Sequence, residues 1–427
     1  MPTSTSLSKD SSPAGRVAFT HPNFVSYTIA RSLIVVALEM QSVAVAWQVY
    51  EITKRPLDLG YVGLAQFLPG FVLFLFAGHA ADVFNRRKLL IGCYGGFGLC
   101  SALLLAISWR APHSVHLIYV VLVLLGVVRS FSFPVSRAIL PQLVPEEHFS
   151  NAVAWNASCF QISTIAGPAI GGIAYAIFRG PEAVYVMAVT VSILSTLLTL
   201  RVHPLPSSPK KLLAEKEPLS LRTALAGFRF IWKKKLILAS ISLDMFAVLL
   251  GGAVALLPVY ARTILHTGPW GLGLLRSAPG VGAALMAIAV AHRPIRRHAG
   301  VTMLLCVAAF GIMTIVFGLS HSLILSLIAL FLTGAADMVS VIIRATLVQF
   351  ATPDEMRGRV NAVDFLFIGV SNELGEFESG LTAQWLGTVP AVVLGGVGTL
   401  LVIATWAWLF PELRKADQLT VAELLPK

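Results

Sequence analysis

Among the ionisable side chains inside otherwise apolar stretches of this 427-residue chain, nine are candidates for chemistry: Arg31, Glu39, Arg129, Asp244, Arg276, Asp337, Glu373, Glu376 and Glu378. A charge at the centre of a bilayer costs at least ~2.5 kcal/mol, so such groups are seldom incidental. Carboxylates in such places can exchange protons, which is the chemistry that couples an ion gradient to movement of another molecule. Glu39 and Asp244 are the first choice for proton or cation coupling, since Leu38-Glu39-Met40 and Leu243-Asp244-Met245 are matching segments. Arg31 precedes Glu39 by eight residues, on the same helical face but about 12 Å away, so its partner must come from another helix. Ser371-Asn372-Glu373-Leu374-Gly375-Glu376-Phe377-Glu378 places three carboxylates within six residues. That run reads either as a site for protons or a cationic substrate, balanced by Arg129 or Arg276, or as a solvated segment near an aqueous end. Asp337 reads either as a polar helix contact or as a functional group.

The elements that carry these residues are membrane helices. Of all residues, 56% are hydrophobic and 12% charged, against roughly 25% charged in soluble domains, and the mean hydropathy is +0.79. Twelve apolar stretches of membrane-spanning length can be marked, at about 23–50, 58–81, 88–108, 115–138, 152–178, 182–202, 236–263, 270–291, 299–318, 322–345, 361–387 and 389–410. An even number of crossings puts both termini on one side. That side receives 24 of the 32 Lys and Arg, Arg344 among them, whereas the other holds Lys54, Arg55, Arg110, Arg179 and Arg262. The positive-inside rule places the termini in the cytoplasm of a cell-membrane protein. The net charge of +11 is therefore an inter-helix feature and not a nucleic-acid surface. The polar N-terminus lacks the apolar core of a signal peptide, so the first helix is expected to direct insertion. Segment 203–235 reads as a cytoplasmic linker with an amphipathic helix around Leu219–Ile231.

Internal repetition organises the helices. Val49-Tyr50 recurs as Val259-Tyr260, Arg86-Arg87 as Arg296-Arg297, and RAILPQLVPEEHFSNAV from Arg137 as RATLVQFATPDEMRGRVNAV from Arg344. Offsets near 205–210 residues that include charged loop positions are not chance similarity among apolar segments. The expected architecture is an all-α integral membrane protein of twelve transmembrane helices in two pseudo-symmetric six-helix bundles. Its expected parts are a tail 1–22, a bundle 23–202, the linker 203–235, a bundle 236–410 and a tail 411–427.

The loop GHAADVFNRRKLL, with Gly78, Asp82, Arg86 and Arg87, resembles the signature loop of the major facilitator superfamily. The resemblance implies a cytoplasmic gate in which Asp82 latches onto the start of the eleventh helix near Asn361. His292 stands where the second half would carry the matching acid, so a strong latch is expected in the first half alone. In the fifth helix, Gly167-Pro168-x-x-Gly171-Gly172 is similar to the core of the family's antiporter motif, with Ser163 in place of an upstream glycine. Arg129-Ser130, Phe133-Pro134, Leu143-Val144-Pro145-Glu146 and 352–361 resemble the branch of macrolide efflux pumps and siderophore exporters. The resemblance implies efflux of bulky amphipathic molecules, drugs or catecholate siderophores, driven by proton entry. It also implies that Glu39 and Asp244 line a central cavity.

Aromatic residues Phe131, Phe133, Trp155, Phe160, Phe246, Phe365 and Phe367 are candidates for stacking on substrate, although ordinary packing is the commoner role. Trp406 and Trp408 read as interfacial anchors. Cys93, Cys100, Cys159 and Cys306 have neither metal-ligand nor disulfide spacing. No HxxxxD, HExxH, Ser/His/Asp or CxxC constellation occurs, so neither an enzyme nor a cofactor or metal is expected. An uptake symporter or uniporter of the same fold is the main alternative, and a membrane enzyme or a sensor the remote ones. The expected partners are a small molecule, protons and lipid, and the chain is expected to act as a monomer.

Overall fold

The computed structural model describes residues 14–204, 221–295 and 297–415, and within them says nothing of the side chains of residues 14, 74, 75, 79, 81, 82, 221–225, 354, 355 and 362. Lipid offers no partner for a backbone N–H or C=O, so each crossing has to be a helix. The first bundle comprises α1 (Pro22–Thr53), α2 (Pro56–Val83), α3 (Arg86–Arg110), α4 (Val115–Ile139), α5 (Phe149–Phe178) and α6 (Glu182–Leu200). Pro22 and Pro56 start their helices where a missing N–H costs nothing. Lys54 ends α1 in the left-handed region, its N–H bonded to the Tyr50 carbonyl at 2.9 Å. Amphipathic α7 (Leu221–Lys233) leads into the second bundle. That bundle holds α8 (Lys235–Gly251), α9 (Gly268–His292), α10 (Ala299–Leu319), α11 (Leu323–Ala351), α12 (Asp354–Leu386) and α13 (Thr388–Leu409).

Eleven of the described helical stretches are long and apolar enough to cross a membrane. The remaining long helix, α12, has 33 residues and carries the carboxylates that lower its hydropathy, which is consistent with the twelve expected crossings. The pseudo-symmetry is visible in the packing: α1 lies on α5 and α6 as α8 lies on α12 and α13. Likewise α2 packs on α4 as α9 on α11, and α3 on α4 and α6 as α10 on α11 and α13.

Two elements depart from the expected outline. Stretch 236–263 is not one helix: α8 stops at Gly251, and a 3-10 turn (Val254–Leu256), a short turn (Leu257–Val259) and a π-helical segment (Tyr260–Ile264) follow. Gly252, at φ −74° and ψ 90°, takes the chain out of the helix, and Pro258 then removes a donor from any continuing ladder. The helix expected from 361 also begins earlier, because Pro353 starts α12 at Asp354. Trp408 is 81% exposed, as an anchor in lipid would be, but Trp406 turns inward against Phe246 and donates to Ser242 at 3.0 Å.

Candidate functional site

The two bundles meet along α5–α9 and α2–α12, both built for close approach. A Cβ at Gly172 would lie 2.5 Å from the Pro269 carbonyl, and one at Gly273 2.5 Å from the Pro168 carbonyl. On the other seam, a Cβ at Gly60 would lie 3.0 Å from Phe377 Cα, and one at Gly380 3.0 Å from the Pro56 carbonyl. Glu51 and Arg262 add a 2.8 Å ion pair between bundles, with Tyr175 donating to Glu51 at 3.3 Å and the Arg262 guanidinium over Trp47. All these residues lie near the helix ends remote from the described chain ends, so the molecule is closed on that face.

Above this seal lies a cavity of about 370 Å3, within the range of small-molecule sites. Its charged lining is Arg31, Glu39, Arg129, Arg276, Glu373 and Glu376, three cations and three carboxylates brought together from both bundles. Gly63 permits the approach of α12, since a Cβ there would lie 2.6 Å from Glu376 Oε2. Gly167 does the same for α1, where a Cβ would lie 2.5 Å from Glu39 Cβ, and Gly171 abuts the Met40 backbone at 2.6 Å. The Gly167-Pro168-x-x-Gly171-Gly172 segment thus packs one face on the α1 turn that carries Glu39 and another on α9 of the opposite bundle. Ser163 is buried and bonds the Cys159 carbonyl at 2.8 Å, the behaviour of a small helix-contact residue.

Arg31 finds its partner on α5, donating to Asn156 at 2.6 Å beneath the Phe160 ring. Arg276 donates to Ser42 of the first bundle, and its Nε is buried without a partner. No ion pair within 4 Å joins Glu39, Glu373 or Glu376 to any cation among the described residues. Their oxygens are left as acceptors facing the cavity. Towards the face of the chain ends the lining runs to Phe133, which stacks on Phe365 of α12 at 4.9 Å. The Arg137 guanidinium caps both rings, at 4.4 and 5.6 Å. Of the other aromatics, Trp155 bonds the Gly15 carbonyl and Phe367 stacks on Phe228.

Three expected cavity residues lie elsewhere. Asp244 is nine residues into α8, roughly 14 Å from its start, whereas Glu39 is roughly 26 Å into α1. It sits nearer the face of the chain ends, where Arg344 takes it at 3.3 Å. Arg344 is therefore not a loop charge: it is 3% exposed inside the second bundle and also holds Asp364 at 2.5 Å. Asp337 lies on the same side of α11, off the central cavity. Glu378 is rotated away from Glu376 and accepts from Thr382 at 2.7 Å. Asn372 bonds its own helix at Ile368.

In the signature loop, Arg86 donates to the Ala138 carbonyl at 3.1 Å and Arg87 to those of Thr199 and Leu200, tying α3 to the ends of α4 and α6. The backbone of Gly78 and Asp82 is the last turns of α2, but the Asp82 side chain, and with it the expected latch, falls outside the described residues. Sequence reasoning missed the Glu51–Arg262 pair and the role of Arg344. The available signal for Arg344 was its seven-residue spacing from Asp337, which puts both on one helix face. Among the described residues no group of three or more His, Cys, Asp or Glu converges as a metal site.

Comparison with known proteins agrees with this architecture. The chain is 28% identical over 407 residues to the enterobactin exporter EntS of Citrobacter koseri, covering 93% of this chain and 94% of that one. It is 27% identical, with the same coverage, to EntS of Shigella boydii. Among solved structures, a point mutant of the nucleoside transporter NupG superposes with a TM-score of 0.72 at 12% identity, covering 91% of this chain and 100% of that one. A bacterial homologue of the human lysosomal transporter Spinster gives 0.71 at 12% identity, covering 95% and 99%. The sequence profile of the Major Facilitator Superfamily matches residues 24–376. The chain is a multi-pass membrane transporter and not an enzyme, and it belongs to the Major Facilitator Superfamily.

Proposed function

We propose that this transporter is a proton-coupled exporter of amphipathic small molecules, of the siderophore or drug class, working by alternating access. The observation that carries the reading is the set of unpaired carboxylates of Glu39, Glu373 and Glu376 facing one cavity with Arg31, Arg129 and Arg276. With all six ionised the set is neutral, so a molecule need not carry a compensating charge to enter. A phenolic hydroxyl or an ammonium group donates to these oxygens, and a proton on the same oxygen removes the acceptor. Substrate and proton then compete for one set of atoms, which is the requirement for exchange. Phe133 and Phe160 offer apolar faces to a planar group.

The exporter names of the relatives and the Gly-Pro-x-x-Gly-Gly segment support the outward direction. The distribution of Lys and Arg supports cytoplasmic termini, which makes the sealed face extracytoplasmic and the conformation inward-facing. In this reading Asp82 latches the cytoplasmic side and the chain acts as a monomer in the cell membrane. The test is accumulation of a labelled catecholate siderophore, and separately of a labelled macrolide, in inside-out vesicles whose interior is acid. Gradient-dependent accumulation of one of them is expected. Its absence, together with uptake of substrate alongside protons in right-side-out vesicles, would establish a symporter instead.

A further inference from the structure

The repeat implies two equal seams between the bundles, but the seams are unequal. Gly63 and Pro69-Gly70 of α2 have their counterparts in Gly273 and Pro279-Gly280 of α9, 210 residues on. At the first glycine both seams are tight. A Cβ at Gly63 would lie 2.6 Å from Glu376 Oε2 on α12, and one at Gly273 2.5 Å from the Pro168 carbonyl on α5. Seven residues further, about 10 Å along the same helix face, they differ. A Cβ at Gly280 would still lie 2.8 Å from Ile165 Cγ1, and Ser277 donates to the Ile165 carbonyl at 2.7 Å. A Cβ at Gly70 would meet nothing within 4 Å among the described residues, and one at Gly369 of α12 would meet the Phe67 ring at 3.9 Å. The α2–α12 seam has parted at a level where the α5–α9 seam is closed.

The gap faces lipid and leads into the central cavity. Gly70 lies midway along the 28-residue α2, at the depth of the hydrocarbon core. Gln66, one turn before Gly70 on α2, and Glu373, one turn beyond Gly369 on α12, both line the cavity. The rim is aromatic: the Phe67 and Phe71 rings lie 5.8 Å apart, Phe71 is 50% exposed, and Phe365, one turn before Gly369, is 40% exposed. An entrant from water at the face of the chain ends meets instead the Phe133–Phe365 stack under Arg137. An apolar rim with the Glu373 carboxylate at its inner end matches a molecule that has an apolar body and a hydrogen-bonding head. Such molecules concentrate in a bilayer because their apolar surface leaves water.

We propose that the parted α2–α12 seam is a side entrance through which amphipathic molecules pass from the lipid leaflet on the side of the chain ends into the central cavity. The apolar part slides against Phe67, Phe71 and Phe365 while the polar head turns to Glu373. The direction of travel rests on the exporter reading, whereas the opening itself does not. The entrance is one-sided because the repeat-related seam at Gly280 stays shut.

The test uses the full-length chain in phospholipid nanodiscs, in a background lacking the four native cysteines and carrying Gly70→Cys. A pyrene maleimide dissolved in the bilayer should label this cysteine roughly ten times faster than a charged, water-confined maleimide, relative to their rates at Ser132→Cys on the cavity lining. Blocking the cysteine with benzyl methanethiosulfonate should then slow association of the labelled catecholate or macrolide, whichever the wild type binds, roughly ten-fold against the unmodified variant. Equilibrium affinity should change by less than about three-fold, since the cavity is intact and its access alone is hindered. Phe71→Cys, on the exposed rim, replaces Gly70→Cys in both arms if the latter does not elute as monodisperse protein. Equal relative labelling by the two maleimides overturns the entrance. So does an association rate unchanged by the benzyl group, and combined with preferential labelling from lipid it would make the gap a seat for acyl chains. If the wild type binds neither compound, the substrate reading fails, while the maleimide arm still decides whether the seam is open to lipid.

Discussion

Replacing Gly172 by alanine should push the transporter towards the state open on the face sealed here, without unfolding either bundle. The new methyl would lie 2.5 Å from the Pro269 carbonyl and 2.9 Å from Gly273 Cα, both backbone atoms of α9 in the opposite bundle. Ordinary contact begins near 3.4 Å, so α5 and α9 must part by roughly 0.9 Å, and backbone cannot yield as a side chain does. Overpacking of this size costs about 1–3 kcal/mol. Since the clash exists only while the seam is closed, that cost falls on one conformation and shifts the population by roughly 5- to 150-fold. The neighbouring Gly171→Ala is the control. Its methyl would strike the Met40 backbone at 2.6 Å, but α1 and α5 belong to the same bundle in every conformation. It should therefore lower thermal stability and leave the conformational balance alone. The assay is pulsed electron–electron distance measurement between labels at Lys54→Cys and His266→Cys, in a background lacking the four native cysteines. A longer distance in Gly172→Ala and an unchanged one in Gly171→Ala are expected. Identical distance distributions in both, with equal losses of stability, would refute the assignment of this seam as a moving contact.

Two further outcomes follow from contacts on the other face. Phe133→Ala removes the stack on Phe365 and the Arg137 cap, together worth about 1–2 kcal/mol, so a cysteine at Ser136 should react with a polar maleimide roughly 5–30 times faster, and an unchanged rate would show that the stack does not restrict access to the cavity lining. His21 Nε2 lies 2.8 Å from His148 Nδ1, and burial, then the neighbouring imidazole, holds its pKa below the ordinary histidine value. A depressed value favours the neutral form in the clasped state, so the clasp is complete above about pH 6.5 and weakens as pH falls below it. Amide exchange of residues 14–20, whose Ala18 N–H bonds Asn151 at 3.1 Å, should therefore gain an acid-dependent excess that His21→Gln abolishes. Protection that does not vary with pH would contradict it.

The long apolar helices and their two-fold repetition were legible in the sequence because lipid imposes helix length and the repeat imposes symmetry. Helix breaks were less so, since Gly251-Gly252 looks like any small-residue contact until Phe310 and Thr399 are seen against it. In the site, Glu39, Arg129, Arg276, Glu373 and Glu376 announced themselves as charges in apolar helices. Asp244 showed why charge alone does not locate a residue: repeat equivalence to Glu39 fixed its helix, but not its depth or the partner that Arg344 provides. Arg344 itself read as a loop cation, because a count of charges by segment ignores how far α11 continues past the apolar run. Glu378 could not be separated from Glu376 by spacing, and its capture by Thr382 is a matter of rotation about α12.

In the proposed mechanism protons and substrate compete for the carboxylates of one cavity. Its most direct measurement is proton release on substrate addition to purified protein in weakly buffered detergent solution, followed with a pH indicator. Release of protons on binding is expected for the wild type, reduced in Glu39→Gln and in Glu376→Gln, with tighter substrate binding at higher pH. Binding that releases no proton and has the same affinity at pH 6 and pH 8 would contradict it.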